Sequence, residues 1–238
     1  MTLPKLNNTP YYNITIPSTG EHTRFRPYLV KEEKVLLIAY ESQEVKQITN
    51  AMLHIIQTCV ETINTTKITT FDMEYIFLQI RSKAVGENVD LKILCSNDEC
   101  MEQTDVKVNI SDIKIVMPES KNNLIDLSDK MSIELKYPSY NSIASNKIIM
   151  ESESEVEILH ETIIECLNAL HLEDEKIIFA DESPEEVANF IGNLDTEQFR
   201  KIQSFVEAIP IITKDVTFTC LKCNTESTER LQGTSDFF

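Results

Sequence analysis

Tryptophan is absent from this chain, and glycine occurs only 4 times in 238 residues. So few glycines exclude the backbone loops that cradle phosphates: neither G-x-G-x-x-G nor G-x-x-x-x-G-K-[ST] occurs, and no serine stands in G-x-S-x-G. Basic residues are outnumbered, 22 Lys and Arg against 39 Asp and Glu, for a net charge of -17. A nucleic-acid partner calls for a basic face that displaces counterions, so this balance disfavours one. No apolar run approaches the ~20 residues of a membrane span. The opening MTLPKLNNTP has neither the basic start nor the apolar stretch of a leader. The expectation is a soluble cytoplasmic protein without membrane contact.

What is present is ordinary for a globular fold, with 42% hydrophobic and 26% charged residues. Tyr12, Ile14 and Ile16 alternate with polar neighbours, a turn follows at Pro17–Glu21, and His22–Tyr28 closes a hairpin with a strand that Pro27 either confines to an edge or ends. From Val30 the period becomes helical, with Val35, Leu36, Ile38 and Ala39 expected on the inner side. A second helix over 44–60 buries Ile48, Met52, Ile55, Ile56 and Cys59. A third starts at Thr70 as N-cap and turns Met73, Ile76, Phe77, Ile80 and Ala84 inward.

Strand character follows at 88–94, 104–110, 113–116, 124–127 and 131–137. From Ser142 to about Pro210 the pattern is helical. Glu155–Leu170 reads as one amphipathic helix, Ile177–Phe179 is a short apolar run, and Ser183-Pro184-x-Glu186 is a capping box with proline at the first helical position. A last helix spans 195–208, and a strand over 215–219 follows. The chain therefore reads as α+β, divided into an N-terminal hairpin and three-helix region (1–87), a zinc-ribbon-like β module from two distant pieces (88–117 plus 212–238), and a mostly helical inserted region (118–211).

Six cysteines occur, and four of them carry the main chemical signal. LKILCSNDECMEQTDVKV and VTFTCLKCNTESTERLQ share one grammar: strand, cysteine pair, polar turn, strand. Each resembles half of a zinc ribbon, in which a hairpin tip supplies two thiolates to a tetrahedral ion. Short polar hairpins stabilise themselves poorly, and structural zinc contributes ~10–16 kcal/mol in finger peptides. Cys95, Cys100, Cys220 and Cys223 are thus candidate ligands of one structural Zn2+, closed to catalysis by four thiolates. Met101 and Asn224 replace the glycine often found after the second cysteine. Two other readings stay open: thiols left over from a lost site, and a redox-active Cys220-x-x-Cys223. Cys59 and Cys166 fall on apolar stripes and belong to the core.

No constellation for catalysis emerges, and the chain is read as a non-enzyme. His22, His54, His160 and His171 are isolated, with His160 and His171 flanking one helix too far apart to share a metal. The acidic runs 151–157 and 173–175 lack the alternation and glycine of a calcium loop and read as solvated faces.

Arg26-Pro27-Tyr28-Leu29-Val30-Lys31-Glu32-Glu33-Lys34, with Glu41-Ser42 after it, resembles the opening of the T-even phage baseplate proteins. Phe71-Asp72-Met73-Glu74-Tyr75, the segment Arg81–Glu87 and the tail Leu231–Phe238 share that resemblance, which covers about the first hundred residues and the last twenty-five. It implies a non-catalytic factor in building the baseplate hub of a contractile tail, either an assembly chaperone or a structural subunit. Its partners would be hub or tail proteins, and its location the host cytoplasm during assembly and then the tail baseplate. A zinc-ribbon accessory protein of transcription or nucleic-acid binding is the alternative. Two readings of the Arg26–Lys34 segment stand: a docking surface, or a strand-to-helix corner fixed by Pro27 and Leu29 with its charges solvated. Phe237 and Phe238 either pack back on the ribbon or enter a partner pocket.

Overall fold

A computed structural model describes residues 9–111, 113, 115, 117, 118 and 123–237. In chain order the elements are β1 (Tyr12–Thr15), β2 (His22–Phe25), α1 (Val30–Ser42), α2 (Val45–Cys59), α3 (Thr70–Ala84), β3 (Asn88–Leu94) and β4 (Gln103–Asn109). Next come β5 (Leu124–Ser128), β6 (Met131–Leu135), α4 (Tyr140–Ser145), α5 (Lys147–Glu151), α6 (Glu155–Cys166), β7 (Leu167–Leu172) and β8 (Lys176–Ile178). The chain closes with α7 (Pro184–Gly192), α8 (Thr196–Glu207), β9 (Thr213–Thr219) and β10 (Glu226–Gln232). It divides into two compact units, one of residues 1–65, 71–116 and 211–238, the other of 66–70 and 117–210.

In the first unit β1 and β2 form an antiparallel hairpin, Tyr12 opposite Phe25 and Thr15 opposite His22. Its turn is held to the first turn of α3, where the buried Asp72 carboxylate accepts from the Ser18 N–H (2.9 Å) and hydroxyl (2.5 Å). The inner stripe of α2 is buried as its spacing implies, at Met52, Ile55, Ile56 and Cys59, and α3 buries Met73, Ile76, Phe77 and Ile80. On α1 the buried residues are Glu32, Leu36 and Ala39. Val35 and Ile38, expected inside, are 42% and 54% exposed. The run from Val35 to Ala39 is apolar throughout, so it contains no polar face by which periodicity could choose a side.

Two further hairpins complete this unit. β3 pairs with β4, and β9 pairs with β10, each antiparallel in unbroken register. Val89, Ile93 and Val108 of one meet Val216, Phe218 and Leu231 of the other in a cluster with Leu78 and the fully buried Phe237. Ile113 joins this core but, like Ile115, lies in no strand; Lys114 and Val116 are outside the described residues.

The second unit is built on a four-stranded antiparallel sheet ordered β5-β6-β7-β8, with α4 to α6 inserted between β6 and β7. Ile133, Leu135, Ile163, Leu170, Ile191 and Ile202 form its core. Ser183 accepts from the Glu186 N–H while Glu186 reaches back to Ser183, the capping box that opens α7. Contrary to the sequence reading, the helix from Glu155 stops at Cys166, and Leu167–Leu172 is a strand. Leu167, Ala169 and Leu170 suit a helix by propensity, but Leu135, Glu134 and Ile133 pair with them, and β8 closes the other edge. His171 therefore lies on a strand and does not flank a helix.

Candidate metal centre

The β3–β4 and β9–β10 hairpins of the first unit each carry a cysteine pair at the tip. After β3 the Cys95 N–H donates to the Glu102 carbonyl (2.9 Å), closing the loop. Inside it the Asn97 carbonyl accepts from the N–H groups of Cys100 (2.9 Å) and Met101 (3.1 Å), and the Asn97 side chain accepts from the Glu99 N–H (3.0 Å). After β9 the pattern repeats: the Cys220 N–H donates to the Thr225 carbonyl (2.9 Å), and the Asn224 N–H to the Cys220 carbonyl (3.0 Å). Met101 and Asn224 occupy the left-handed region, with φ of 45° and 57°. That is why glycine would suit these positions, and asparagine tolerates the conformation better than methionine does.

The two tips bring all four thiols together. Cys95 Sγ lies 3.5 Å from Cys223 Sγ, Cys100 Sγ lies 3.8 Å from Cys220 Sγ, and all four sulfurs are within 4.8 Å of one another. A tetrahedral ion with ~2.3 Å metal–sulfur bonds has sulfur–sulfur edges of about 3.8 Å. The donor set fits such an ion in number, type and spacing. The cysteines are free, and their separations exceed the ~2.05 Å of a disulfide. Cys95 and Cys220 are buried and Cys100 and Cys223 half-buried, so any bound ion would be shielded from solvent on several sides.

The thiols differ in acidity. The Thr225 side chain, its hydroxyl 3.2 Å from the sulfur, and the Thr225 N–H lower Cys223 to about 6. The N–H groups of Cys223 and Lys222 lower Cys220. At Cys95 the Asn97 N–H pulls down, but burial and the neighbouring thiols prevail and raise it. Cys100 is pushed up to about 11 by burial and the same crowding, against the backbone of Glu102. Four like groups this close resist ionising together, and a divalent cation would remove that obstacle. Around them, Ser96 and Ser227 hydroxyls meet at 2.9 Å, and Lys222 Nζ lies 3.0 Å from Glu102 Oε2, so polar contacts also link the tips.

The remaining sequence candidates do not join this cluster. Burial raises Cys59 to about 11 and Cys166 to about 12, as inert core thiols. His54 is exposed, His22 meets Thr15, and His171 Nε2 lies 2.8 Å from Glu134.

In the Arg26–Lys34 segment the Glu32 side chain is 3% exposed, not solvated. It accepts from the N–H of Leu29, the N-cap of α1 (2.8 Å), and from Arg26 Nη2 (3.1 Å). Arg26 also donates to the Pro27 carbonyl (3.0 Å). A buried ion pair thus locks the corner that one of the two sequence readings gave to Pro27 and Leu29 with solvated charges. Asp72 and Glu74, which the sequence offers only as part of a familial segment, also hold distant chain. Glu74 Oε1 accepts from the Thr234 N–H (3.4 Å), and a Cβ at Gly233 would stand 3.4 Å from that oxygen. Only long-range contacts reveal these roles.

Compared with known families, residues 9–238 match the model of the T4 bacteriophage base plate protein family. The chain belongs to that family. No curated protein and no solved structure matched it. The family match runs through the middle of the chain, where the sequence reading recognised nothing, so the second unit is part of the family's shared protein. Membership implies a structural or assembly role in the phage baseplate, among other tail and baseplate proteins. Among the described residues no helix is long and apolar enough to cross a membrane.

Proposed function

We propose that this baseplate protein is a non-catalytic interaction factor for the hub of a contractile tail, acting as an assembly chaperone or as a hub subunit. The observation that carries the reading is the family match over residues 9–238. The chemistry of the chain supports it. Its one candidate metal-holding group among the described residues is four thiols, which could close around an ion and leave no coordination position for a substrate. We assign that ion as structural Zn2+ held by Cys95, Cys100, Cys220 and Cys223. Bound there, it would fasten a hairpin from the middle of the chain to one from its end. Factor and hub would meet in the host cytoplasm.

The test is infection by a phage in which this gene carries an early stop codon. Sedimentation of lysates should show outer baseplate parts accumulating without completed hubs, and supply of the protein in trans should restore tails. Mass spectrometry of finished particles then separates subunit from chaperone. Complete baseplates assembled without the protein would contradict the proposal.

A further inference from the structure

Helix α1 has two apolar faces. One is the buried side, where Leu36 and Ala39 lie beside the ion-paired Glu32. On the other, Val30 is 79%, Leu37 56% and Ile38 54% exposed. Val45, which opens α2, is 65% exposed, and Leu29 and Val35 bring the total to 6 of the 17 exposed large hydrophobics among the described residues. Such concentration within one helix and its flanks is unlike the scattered exposed residues of an ordinary surface. At 100° per residue, Val30, Lys34, Leu37 and Glu41 share an arc of about 60° opposite the buried stripe, with Ile38 beside them. Lys34 and Glu41 are both exposed.

The order of these residues identifies the occupant. A two-fold interface is self-complementary: where residue i meets j, j must meet i. Reversal of α1 about the point between Leu37 and Ile38 carries Leu37 onto Ile38 and Lys34 onto Glu41, while Val45 lies beyond the left-handed Gln43 that ends the helix and takes no part in this symmetry. At the centre Leu37 and Ile38 meet each other, and on either side Lys34 meets Glu41. In a parallel pairing Lys34 would face Lys34 and Glu41 would face Glu41. An antiparallel pairing that set Lys34 against Leu37 would bury a charge on an apolar side chain. We propose that this face docks against the same face of a second copy of the chain, antiparallel, with two Lys34–Glu41 pairs bracketing a Leu37–Ile38 centre.

The charge pattern also permits approach. Two molecules of net charge -17 repel at long range, and a patch with balanced lysine and glutamate lowers the local field. A helix of 13 residues is about 20 Å long, so the pair buries less than the ~1,200 Å² of a standard stable interface. The dimer is accordingly weak and reversible in dilute solution, and is strengthened where an assembly holds copies side by side.

Sedimentation equilibrium of the full chain over a concentration series tests this, with circular dichroism to confirm that each variant is folded. The wild type should show a reversible monomer–dimer equilibrium, and Leu37→Asp should be monomeric. Val85→Asp places the same charge at another site that is 59% exposed and should dimerise like wild type. Lys34→Glu and Glu41→Lys should each weaken the dimer by roughly tenfold, a change of ~1.4 kcal/mol. The double exchange Lys34→Glu/Glu41→Lys should restore it, because the charges meet again in reverse. A chain monomeric at every concentration would assign the face to another occupant and overturn the proposal. So would a dimer indifferent to Leu37→Asp, or a double exchange that fails to recover.

Discussion

Glu32→Gln removes one charge and almost no volume from the corner between β2 and α1. The wild-type side chain is 3% exposed and its partner Arg26 14% exposed, so the substitution leaves a guanidinium sheltered without its counter-charge. Breaking a buried pair from one side costs ~3–5 kcal/mol. Arg26 keeps its bond to the Pro27 carbonyl, and glutamine can still accept from the Leu29 N–H, which lowers the expected cost to about 2–3 kcal/mol. Lys31, 71% exposed, adds little. Arg26→Met should cost somewhat less, since Glu32 retains the Leu29 N–H. The double variant should be less destabilised than the sum of the two, with a coupling of about 1–2 kcal/mol. Urea denaturation followed by circular dichroism gives these values from midpoint and slope. The Leu29 N–H and Arg26 hold Glu32 below its ordinary carboxylate range, although burial acts the other way. Its contribution is therefore complete above the ordinary carboxylate pKa and fades as pH falls through the lowered one. A loss under ~0.5 kcal/mol for Glu32→Gln would refute the reasoning. It would mean that the charges of the segment are solvated, and that a partner contact accounts for its familial character.

Three other expectations follow from single environments. Thr104 is 6% exposed, and its hydroxyl has no hydrogen-bond partner among the described residues, so Thr104→Val should stabilise the first unit by about 1 kcal/mol in the same assay. Met101 sits at φ 45° and is 64% exposed, so Met101→Gly should relieve the left-handed strain at little packing cost, raising stability by about 0.5–1 kcal/mol; a loss instead would show that the thioether packs in solution. Lys176, His171 and Asn168 hold Glu134 at about 2 instead of 4.5, and partial exposure of the partners limits this to about 1–2 kcal/mol. The stability gap between wild type and Glu134→Gln should be full above pH ~4.5 and close as pH falls toward ~2. A gap independent of pH would remove that role.

The features legible in the sequence were those decided locally. Ser183, Pro184 and Glu186 announce the start of α7 within four residues, and the strands flanking each cysteine pair alternate cleanly enough that β3 appears with its bounds correct. The cysteines themselves are read from grammar that needs no partner in view, and the fold brings all four together. What the sequence concealed depends on distant chain. Cys166 ends α6 because β6 and β8 recruit the next six residues, and nothing in Leu167–Leu172 resists a helix. The side of α1 that faces inward is settled by packing, since both sides are apolar. Glu32 looks like one more surface acid in a run of charges. Its burial follows from Arg26 and the Leu29 N–H meeting it at the corner. Ser18 with Asp72, and Thr234 with Glu74, are side-chain meetings across 54 and 160 positions, which no local pattern records.

Metal content per chain, measured on the purified protein and on Cys95→Ser and Cys220→Ser, tests the central claim most directly: that a closed four-thiolate centre fastens the two distant hairpins. The account predicts one zinc per wild-type chain, its loss from both variants alike, and loss of structure on chelation. Metal-free protein with four reactive thiols and an unchanged fold would contradict it, and the joining of the hairpins would then rest on their apolar cluster and the Ser96–Ser227 and Glu102–Lys222 contacts alone.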